Sequence, residues 1–152
     1  MFGWLKSKKT AIYAPVAGEV VDLSSVPDDV FAAKMAGEGI AIKPSEDIFR
    51  SPIDGVITKI FPTNHAFVIS KDGLDVIVHI GIDTVALNGE GFARLAKEGE
   101  SVKAGDPVIQ VDLPLVSLKA KSTVTPVVVN SSKISVCAQH EVLSKDLIME
   151  VN

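Results

Sequence analysis

Two histidines stand in short segments whose residue types suit nucleophilic chemistry. His79 ends the apolar run Val76-Ile77-Val78, and Gly81 follows two residues later. His65 lies upstream, two residues after Thr63. A neutral imidazole is nucleophilic near pH 7, so a histidine can accept a chemical group and pass it on. The pair therefore indicates group transfer as one function that this chain can perform.

The neighbours of each histidine suggest how its ring is oriented. Gly81 lets the backbone pass close to His79, and a carbonyl oxygen there would keep one ring nitrogen protonated. The other nitrogen would then be the nucleophile. If residues 63–65 are extended, Thr63 and His65 point to the same side, so the threonine hydroxyl can orient the His65 ring. The third histidine, His140, lies in a polar stretch and is interpreted as an ordinary surface residue.

Strand periodicity predicts where the two histidines lie relative to each other. Alternation puts Ile77 and His79 on one face of a strand, and His65 and Phe67 on one face of another. If the two strands are neighbours, the histidines converge inside an apolar rim that also includes Phe61. A single histidine among apolar residues is more often structural than catalytic, so these residues by themselves leave both roles open.

The elements that carry these residues read as an all-β domain. Short Val/Ile-rich runs are bounded by Gly, Pro, Asp and Ser, for example at residues 18–23, 55–61 and 107–112. Two segments show helical spacing: residues 27–35, with Pro27 in the first turn, and residues 91–99, ending in a glycine cap. A Pro-x-x-Gly turn recurs at Pro15 and Pro52, and it predicts two pseudo-symmetric halves of a β-sandwich.

Length and composition exclude several classes of protein. A chain of 152 residues, 47% of them hydrophobic, is enough for one domain with a substantial core. We expect that domain at residues 10–152, after a flexible segment at 1–9 with at most weak membrane-surface contact through its tryptophan and lysines. The net charge of −4 argues against nucleic-acid binding. The lone Cys137 excludes an internal disulfide and favours a reducing, cytoplasmic location.

Three other chemistries match parts of this sequence, and each lacks a residue or motif that it needs. His79-x-x-x-Asp83 matches part of a zinc peptidase pattern, but the His-x-His pair that such sites commonly add is missing. Residues 102–108 resemble a hairpin of lipoyl and biotinyl carrier domains, yet the nearest modifiable lysine, Lys34, falls in a predicted helix. No phosphate-binding Gly-x-x-x-x-Gly-Lys-Ser/Thr loop occurs, which argues against a nucleotide-dependent kinase.

The combined pattern resembles the glucose-family enzyme IIA of the bacterial phosphoenolpyruvate:sugar phosphotransferase system. Thr63-Asn64-His65-Ala66-Phe67 and residues 78–85 carry the resemblance. Further matching segments are residues 26–28, Phe31, and residues 39–44, 89–92, 112–113 and 121–127. The similarity extends over nearly the whole chain. It implies an antiparallel β-sandwich of the duplicated hybrid motif type.

The resemblance also implies roles for individual residues. His79 would accept a phosphoryl group from phosphorylated HPr on Nε2 and pass it to a cysteine of the IIB domain of a sugar permease. His65 would hydrogen-bond the phosphoryl group, and Thr63 would orient His65. Asp28 and Asp83 would face basic residues of the partners. An apolar collar of Phe31, Phe61, Ile77 and Val85 would shield the phosphohistidine from water and dock both partners.

The resemblance leaves a regulatory binding protein as the alternative function. Some members of the family bind permeases or kinases, and some use both histidines for zinc at a partner interface. Two histidines make an incomplete zinc site, so we expect no cofactor and no tight metal binding by the isolated chain. We also expect a monomer. Asp29, Ile77, Ala86 and Asn88 depart from familiar members, which bears on partner preference and not on the chemistry.

Overall fold

The computed structural model describes residues 9–152, which form fourteen β-strands and two short α-helices. The strands are β1 (Thr10–Tyr13), β2 (Gly18–Asp22), β3 (Glu38–Pro44), β4 (Ile48–Arg50), β5 (Gly55–Ile60), β6 (Ala66–Lys71), β7 (Leu74–His79), β8 (Phe92–Arg94), β9 (Ser101–Val102), β10 (Pro107–Val111), β11 (Thr125–Val129), β12 (Ile134–Val136), β13 (Glu141–Val142) and β14 (Leu147–Val151). The helices are α1 (Asp29–Ala32) and α2 (Leu113–Lys119), and 3-10 helices occur at Leu23–Ser25 and Thr84–Leu87. The predicted all-β class is confirmed.

The strands form three antiparallel sheets. An eight-stranded sheet has the order β13-β2-β3-β11-β7-β6-β5-β9, and two three-stranded sheets have the orders β1-β14-β12 and β4-β10-β8. The two strands entered by the repeated Pro-x-x-Gly turns, β2 and β5, each lie second from an end of the large sheet. The internal repeat thus corresponds to equivalent positions near the two ends of one sheet.

Alternation along the strands sends side chains into two separate apolar clusters. On β11, Val127 belongs to the main core between the large sheet and the small ones, whereas Val128 belongs to a smaller cluster on the opposite face. On β7, Val76 and Val78 likewise lie in the main core, and Ile77 packs against the smaller cluster. His79 follows the parity of Ile77, so the strand period of two places it on the face of the smaller cluster.

One predicted helix is wrong. Residues 91–99 contain the strand β8, which pairs with β10, and Gly99 (φ 86°) lies in a turn and caps no helix. The three- and four-residue spacing of apolar side chains imitated a helix, but the backbone hydrogen bonds go to a neighbouring strand. Tertiary pairing outweighs local periodicity in so short a segment.

The other predicted helix is only partly right. Within residues 27–35 only Asp29–Ala32 is helical, with Asp28 as the N-cap, so Pro27 precedes the helix and does not start it. Helix α2 was not predicted, although Asp112 caps it and Pro114 stands in its first turn, which is a common start signal.

The remaining features to compare with the structure are the N-terminal segment and any membrane-spanning helix. Most of the N-terminal segment predicted at 1–9, including its proposed membrane-surface contact, lies outside the described residues. Among residues 9–152, no helix is long and apolar enough to cross a membrane.

Candidate phosphoryl-transfer site

The two histidines lie at the same end of the β6–β7 hairpin. Ala66 pairs with His79 in the ladder, and the amide of Ile80 donates to the carbonyl of His65 at 2.7 Å. His65 therefore lies immediately before the first residue of β6, next to the end of the ladder. The predicted adjacency of the two strands is correct, and the ladder fixes the backbone separation of the two histidines.

The segment after His79 fixes the orientation of its ring. His79 Nδ1 lies 2.8 Å from the carbonyl oxygen of Gly81. A carbonyl oxygen can only accept, so Nδ1 carries the proton and Nε2 of the neutral ring keeps its lone pair. Gly81 adopts φ 77°, and a Cβ there would lie 2.5 Å from Cγ2 of Thr84 and 2.9 Å from the carbonyl oxygen of Ser122. Only glycine can therefore present this carbonyl to the ring.

A tight turn holds the second histidine. The amide of Asn64 donates to the carbonyl of Phe61 at 2.7 Å, and Asn64 takes the left-handed conformation (φ 64°). Within this turn, Thr63 Oγ1 lies 2.5 Å from Nδ1 of His65. The predicted contact is therefore present, although Thr63 lies in the turn and not in a strand. When the threonine hydroxyl donates, Nδ1 is the acceptor and Nε2 carries the proton.

The two imidazole rings contact each other and two aromatic side chains. The ring centroids of His65 and His79 are 5.0 Å apart in an edge-to-face arrangement. Phe31 lies 5.0 Å from His79, and Phe61 lies 5.4 Å from His65. Phe67 was predicted at this rim, but it pairs with Val78 and is fully buried in the main core. His65 does not share the face of Phe67, because β6 begins only at Ala66 and His65 belongs to the preceding turn.

The other predicted surface residues surround this group. Asp28 caps helix α1 by accepting from the amides of Val30 and Phe31, so it fixes the helix as well as carrying charge. Ile77 lies two residues before His79 on the same strand face and is half-buried. Asp83 and Val85 follow Gly81, at the start and inside of the second 3-10 helix, and Val85 is 55% exposed.

Burial keeps both imidazoles neutral at physiological pH. The pKa of His65, a side chain only 5% exposed, is lowered to about 4, first by loss of solvation and then by the neighbouring His79. Burial also lowers the pKa of His79, while the Gly81 carbonyl and then Asp28 and Asp83 act in the opposite direction. Neutral His79 is the nucleophilic form, and neutral His65 can donate one hydrogen bond.

Two cationic side chains at this site were not predicted. The Lys59 ammonium lies 4.8 Å from the centroid of the Phe61 ring, and Arg94 Nε lies 2.7 Å from Oδ1 of Asn64. The position of Lys59 could have been predicted, because it lies two residues before Phe61 and strand alternation puts both side chains on one face. Arg94 carries no comparable local signal, because it comes from a segment thirty residues away along the chain.

An accessible neutral imidazole, fixed by a backbone carbonyl beside a second imidazole, is a site for nucleophilic group transfer on a β-sandwich. The family model described as phosphoenolpyruvate-dependent sugar phosphotransferase system, EIIA 1, matches residues 10–134. The chain belongs to this family. It is therefore a phosphocarrier, a phosphotransferase component that receives and passes on a phosphoryl group. The family implies HPr as the general donor and a IIB domain as the general acceptor.

Individual relatives support this assignment over most of the chain. The "PTS system glucose-specific EIIA component" of Haemophilus influenzae is 53% identical over 127 residues, 83% of this chain and 76% of that protein. The "PTS system N-acetylglucosamine-specific EIICBA component" of Klebsiella pneumoniae is 47% identical over 80% of this chain and 19% of that longer protein. These comparisons do not favour the regulatory alternative.

A solved structure matches the whole architecture. Glucose permease IIA from Mycoplasma capricolum superimposes with a TM-score of 0.91 at 34% sequence identity, covering 96% of this chain and 97% of that one. The predicted antiparallel β-sandwich is thereby confirmed.

The two active-site histidines should titrate below the usual imidazole value of about 6.5. NMR should place the pKa of His65 at about 4. Between pH 4 and 6.5 the unfolded chain binds a proton at His65 that the folded chain does not, so the free energy of unfolding should decrease as the pH falls through this range. Denaturant unfolding of His65→Gln should show a weaker pH dependence. A His65 that titrates at 6.5 would contradict this account.

Proposed function

We propose that His79 is the residue that carries the phosphoryl group, on Nε2. The observation that carries this proposal is the bond from His79 Nδ1 to the Gly81 carbonyl at 2.8 Å, which leaves Nε2 as the nitrogen with a free lone pair. In transfer, that lone pair forms the new N–P bond while the N–P bond of the donor phosphohistidine breaks, and the donor imidazole keeps the electron pair. No proton has to move, because Nδ1 already carries the one that a neutral phosphoimidazole needs.

We propose that His65 stabilises the phosphoryl group without being phosphorylated. With the Thr63 hydroxyl at Nδ1, the Nε2–H of His65 is free to donate to a phosphoryl oxygen. Phosphoryl transfer depends on positioning and on stabilising charge at the equatorial oxygens. A fixed donor in a partly desolvated site supplies this stabilisation without reorganisation. The lowered pKa of His65 keeps the ring neutral, so it acts as a hydrogen-bond donor and not as a fixed cation.

We propose that phosphorylated HPr and the IIB domain dock in turn on one surface around His79. Both must reach the same nitrogen, so they bind at different times. The surface combines the apolar side chains of Phe31, Phe61, Ile77 and Val85 with the carboxylates of Asp28 and Asp83. An apolar centre with charges at its edge suits brief and specific encounters with a partner of opposite charge.

We propose a glucose-type sugar as the final acceptor, in a cytoplasmic reaction carried out by a monomer. Relatives named as glucose-specific EIIA components support the sugar. A relative named for N-acetylglucosamine makes that sugar the competing assignment. The lone, exposed Cys137 fits a reducing compartment.

We propose that any zinc at His65 and His79 needs a ligand from a partner. Two imidazole nitrogens fit half of a tetrahedral zinc site. No cluster of three or more His, Cys, Asp or Glu side chains suited to a metal occurs within residues 9–152. Calorimetric titration of the isolated chain with zinc should therefore show no tight one-to-one binding. A tight complex that is abolished by both His65→Gln and His79→Gln, but not by His140→Gln, would contradict this and support the zinc hydrolase alternative.

The carrier roles can be tested by mass spectrometry after incubation with phosphoenolpyruvate, enzyme I and HPr. Wild type should gain one acid-labile phosphoryl group, and His79→Gln should gain none. His65→Gln should still be phosphorylated, with transfer slowed by up to about 10²-fold because one stabilising donor is lost.

His140→Gln is the matched control, because the His140 side chain is exposed and its Nε2 lies 3.6 Å from a carboxylate oxygen of Glu19. It should behave as wild type. An adduct that persists in His79→Gln and disappears in His65→Gln would reverse the proposed roles. No adduct on wild type in the presence of phosphorylated HPr would reject the carrier function.

A further inference from the structure

The turn that carries Thr63 and His65 has little support of its own. Residues 61–65 contain one internal backbone bond, from the amide of Asn64 to the carbonyl of Phe61, and the amide of Phe61 donates to Ala66 at 2.9 Å. Asn64 adopts the left-handed conformation (φ 64°), which asparagine tolerates better than most other non-glycine residues. Thr63 orients the His65 ring within the turn, and contacts from outside the turn can fix where the turn as a whole lies.

Arg94, at the end of strand β8, supplies one part of this outside support. Its Nε donates to Oδ1 of Asn64 at 2.7 Å, and its Nη2 lies 3.4 Å from the carbonyl oxygen of Ile60. The rigid guanidinium thus joins the last residue of β5 to the left-handed residue just before His65. A planar fork holds two acceptors in a fixed relation, which the flexible ammonium of a lysine does not do.

Glu98 supplies the other part. Its Oε2 accepts from the amide of Ile60 at 2.8 Å, so Arg94 and Glu98 together hold both backbone polar groups of Ile60. The segment that bears them is anchored independently of the turn. Arg94 pairs with Ile109 of β10, and the side chains of Phe92 and Ala96 are buried in the main core.

We propose that Arg94, together with Glu98, forms a clamp that positions the turn of residues 61–65 so that the His65 ring faces His79. Arg94 is a positioning residue, because it acts through Asn64 and not on the phosphoryl group. The proposal rests on the proposed role of His65. Because displacement by about 1 Å can cost up to about 10²-fold in rate, loss of the clamp slows transfer even though both histidines remain.

We expect the clamp to fix the position of the His65 ring and to contribute little to the free energy of unfolding. Arg94 is exposed, and the two hydrogen bonds that its side chain makes add little to the stability of a folded domain. Its loss should leave the fold and the His79–Gly81 bond unchanged. It should let the His65 ring become more accessible to water, which raises the pKa of His65 from about 4.

The test compares Arg94→Met, Asn64→Gly and the double variant with wild type. Asn64→Gly keeps the left-handed backbone and removes only the acceptor for Arg94. Arg50→Met is the matched control, because Arg50 also donates to a backbone carbonyl, that of Gly105 at 3.1 Å, away from the histidines. Two measurements are made on each protein: the pKa of each histidine by NMR, and the rate of phosphoryl transfer from phosphorylated HPr at saturating and low donor concentration.

The clamp predicts a fall of about tenfold in the maximal transfer rate for Arg94→Met, with the donor concentration at half-maximal rate unchanged. The pKa of His65 should rise and that of His79 should stay constant. The double variant should match Arg94→Met, because Arg94→Met already removes the bond to Asn64. Asn64→Gly should shift both quantities in the same direction and by no more than Arg94→Met, because it leaves the bond from Arg94 to the Ile60 carbonyl in place. Arg50→Met should transfer like wild type.

Two results would overturn the clamp: an unchanged His65 pKa and transfer rate in Arg94→Met, or defects that multiply in the double variant. If wild type itself accepts no phosphoryl group, the carrier function fails. The clamp is then tested by the pKa of His65 alone: a higher pKa in Arg94→Met than in wild type supports the clamp, and an unchanged pKa rejects it.

Discussion

The hydrogen bond from His79 Nδ1 to the Gly81 carbonyl is the contact on which the chemistry of this site depends. It assigns the proton to one nitrogen and leaves the lone pair on the other, before any partner binds. The backbone must fold back within two residues to make this bond, which requires the left-handed glycine at 81. The loop is secured by the Thr84 hydroxyl, which donates to the Ile80 carbonyl at 2.6 Å. The acceptor that orients the nucleophile is thus part of the backbone and is held in place by the fold of the loop.

Burial and charge then set the protonation state of the histidine pair. Removing two imidazoles from water favours their neutral forms, and at His65 the neighbouring His79 adds to this effect. At His79 the Gly81 carbonyl, and then Asp28 and Asp83, oppose the lowering of the pKa by burial. The same features make the surface suitable for docking, since its apolar side chains exclude water from the phosphohistidine. The residues around the two histidines therefore serve both phosphoryl transfer and partner docking.

The sequence was sufficient to predict the class of fold, the two histidines and the bonds that Thr63 and Gly81 make to them. These are local features: strand periodicity, a glycine two residues after a histidine, and a threonine two residues before another. Contacts that depend on the paths of distant segments could not be predicted. Arg94 reaches Asn64 from β8, a segment with helical spacing in the sequence, and Phe67 is withdrawn into the core by the register of β6 against β7. Register and long-range side-chain bonds are properties of the assembled sheet.

The central claim concerns which nitrogen of which histidine bears the phosphoryl group, so it is tested most directly by NMR of the phosphorylated protein labelled with 15N. A phosphorus–nitrogen coupling to Nε2 of His79, with a proton retained on Nδ1, is the result that the Gly81 carbonyl predicts. Coupling to Nδ1 of His79, or to either nitrogen of His65, would contradict the account, because it would mean that the backbone carbonyl does not select the nucleophile.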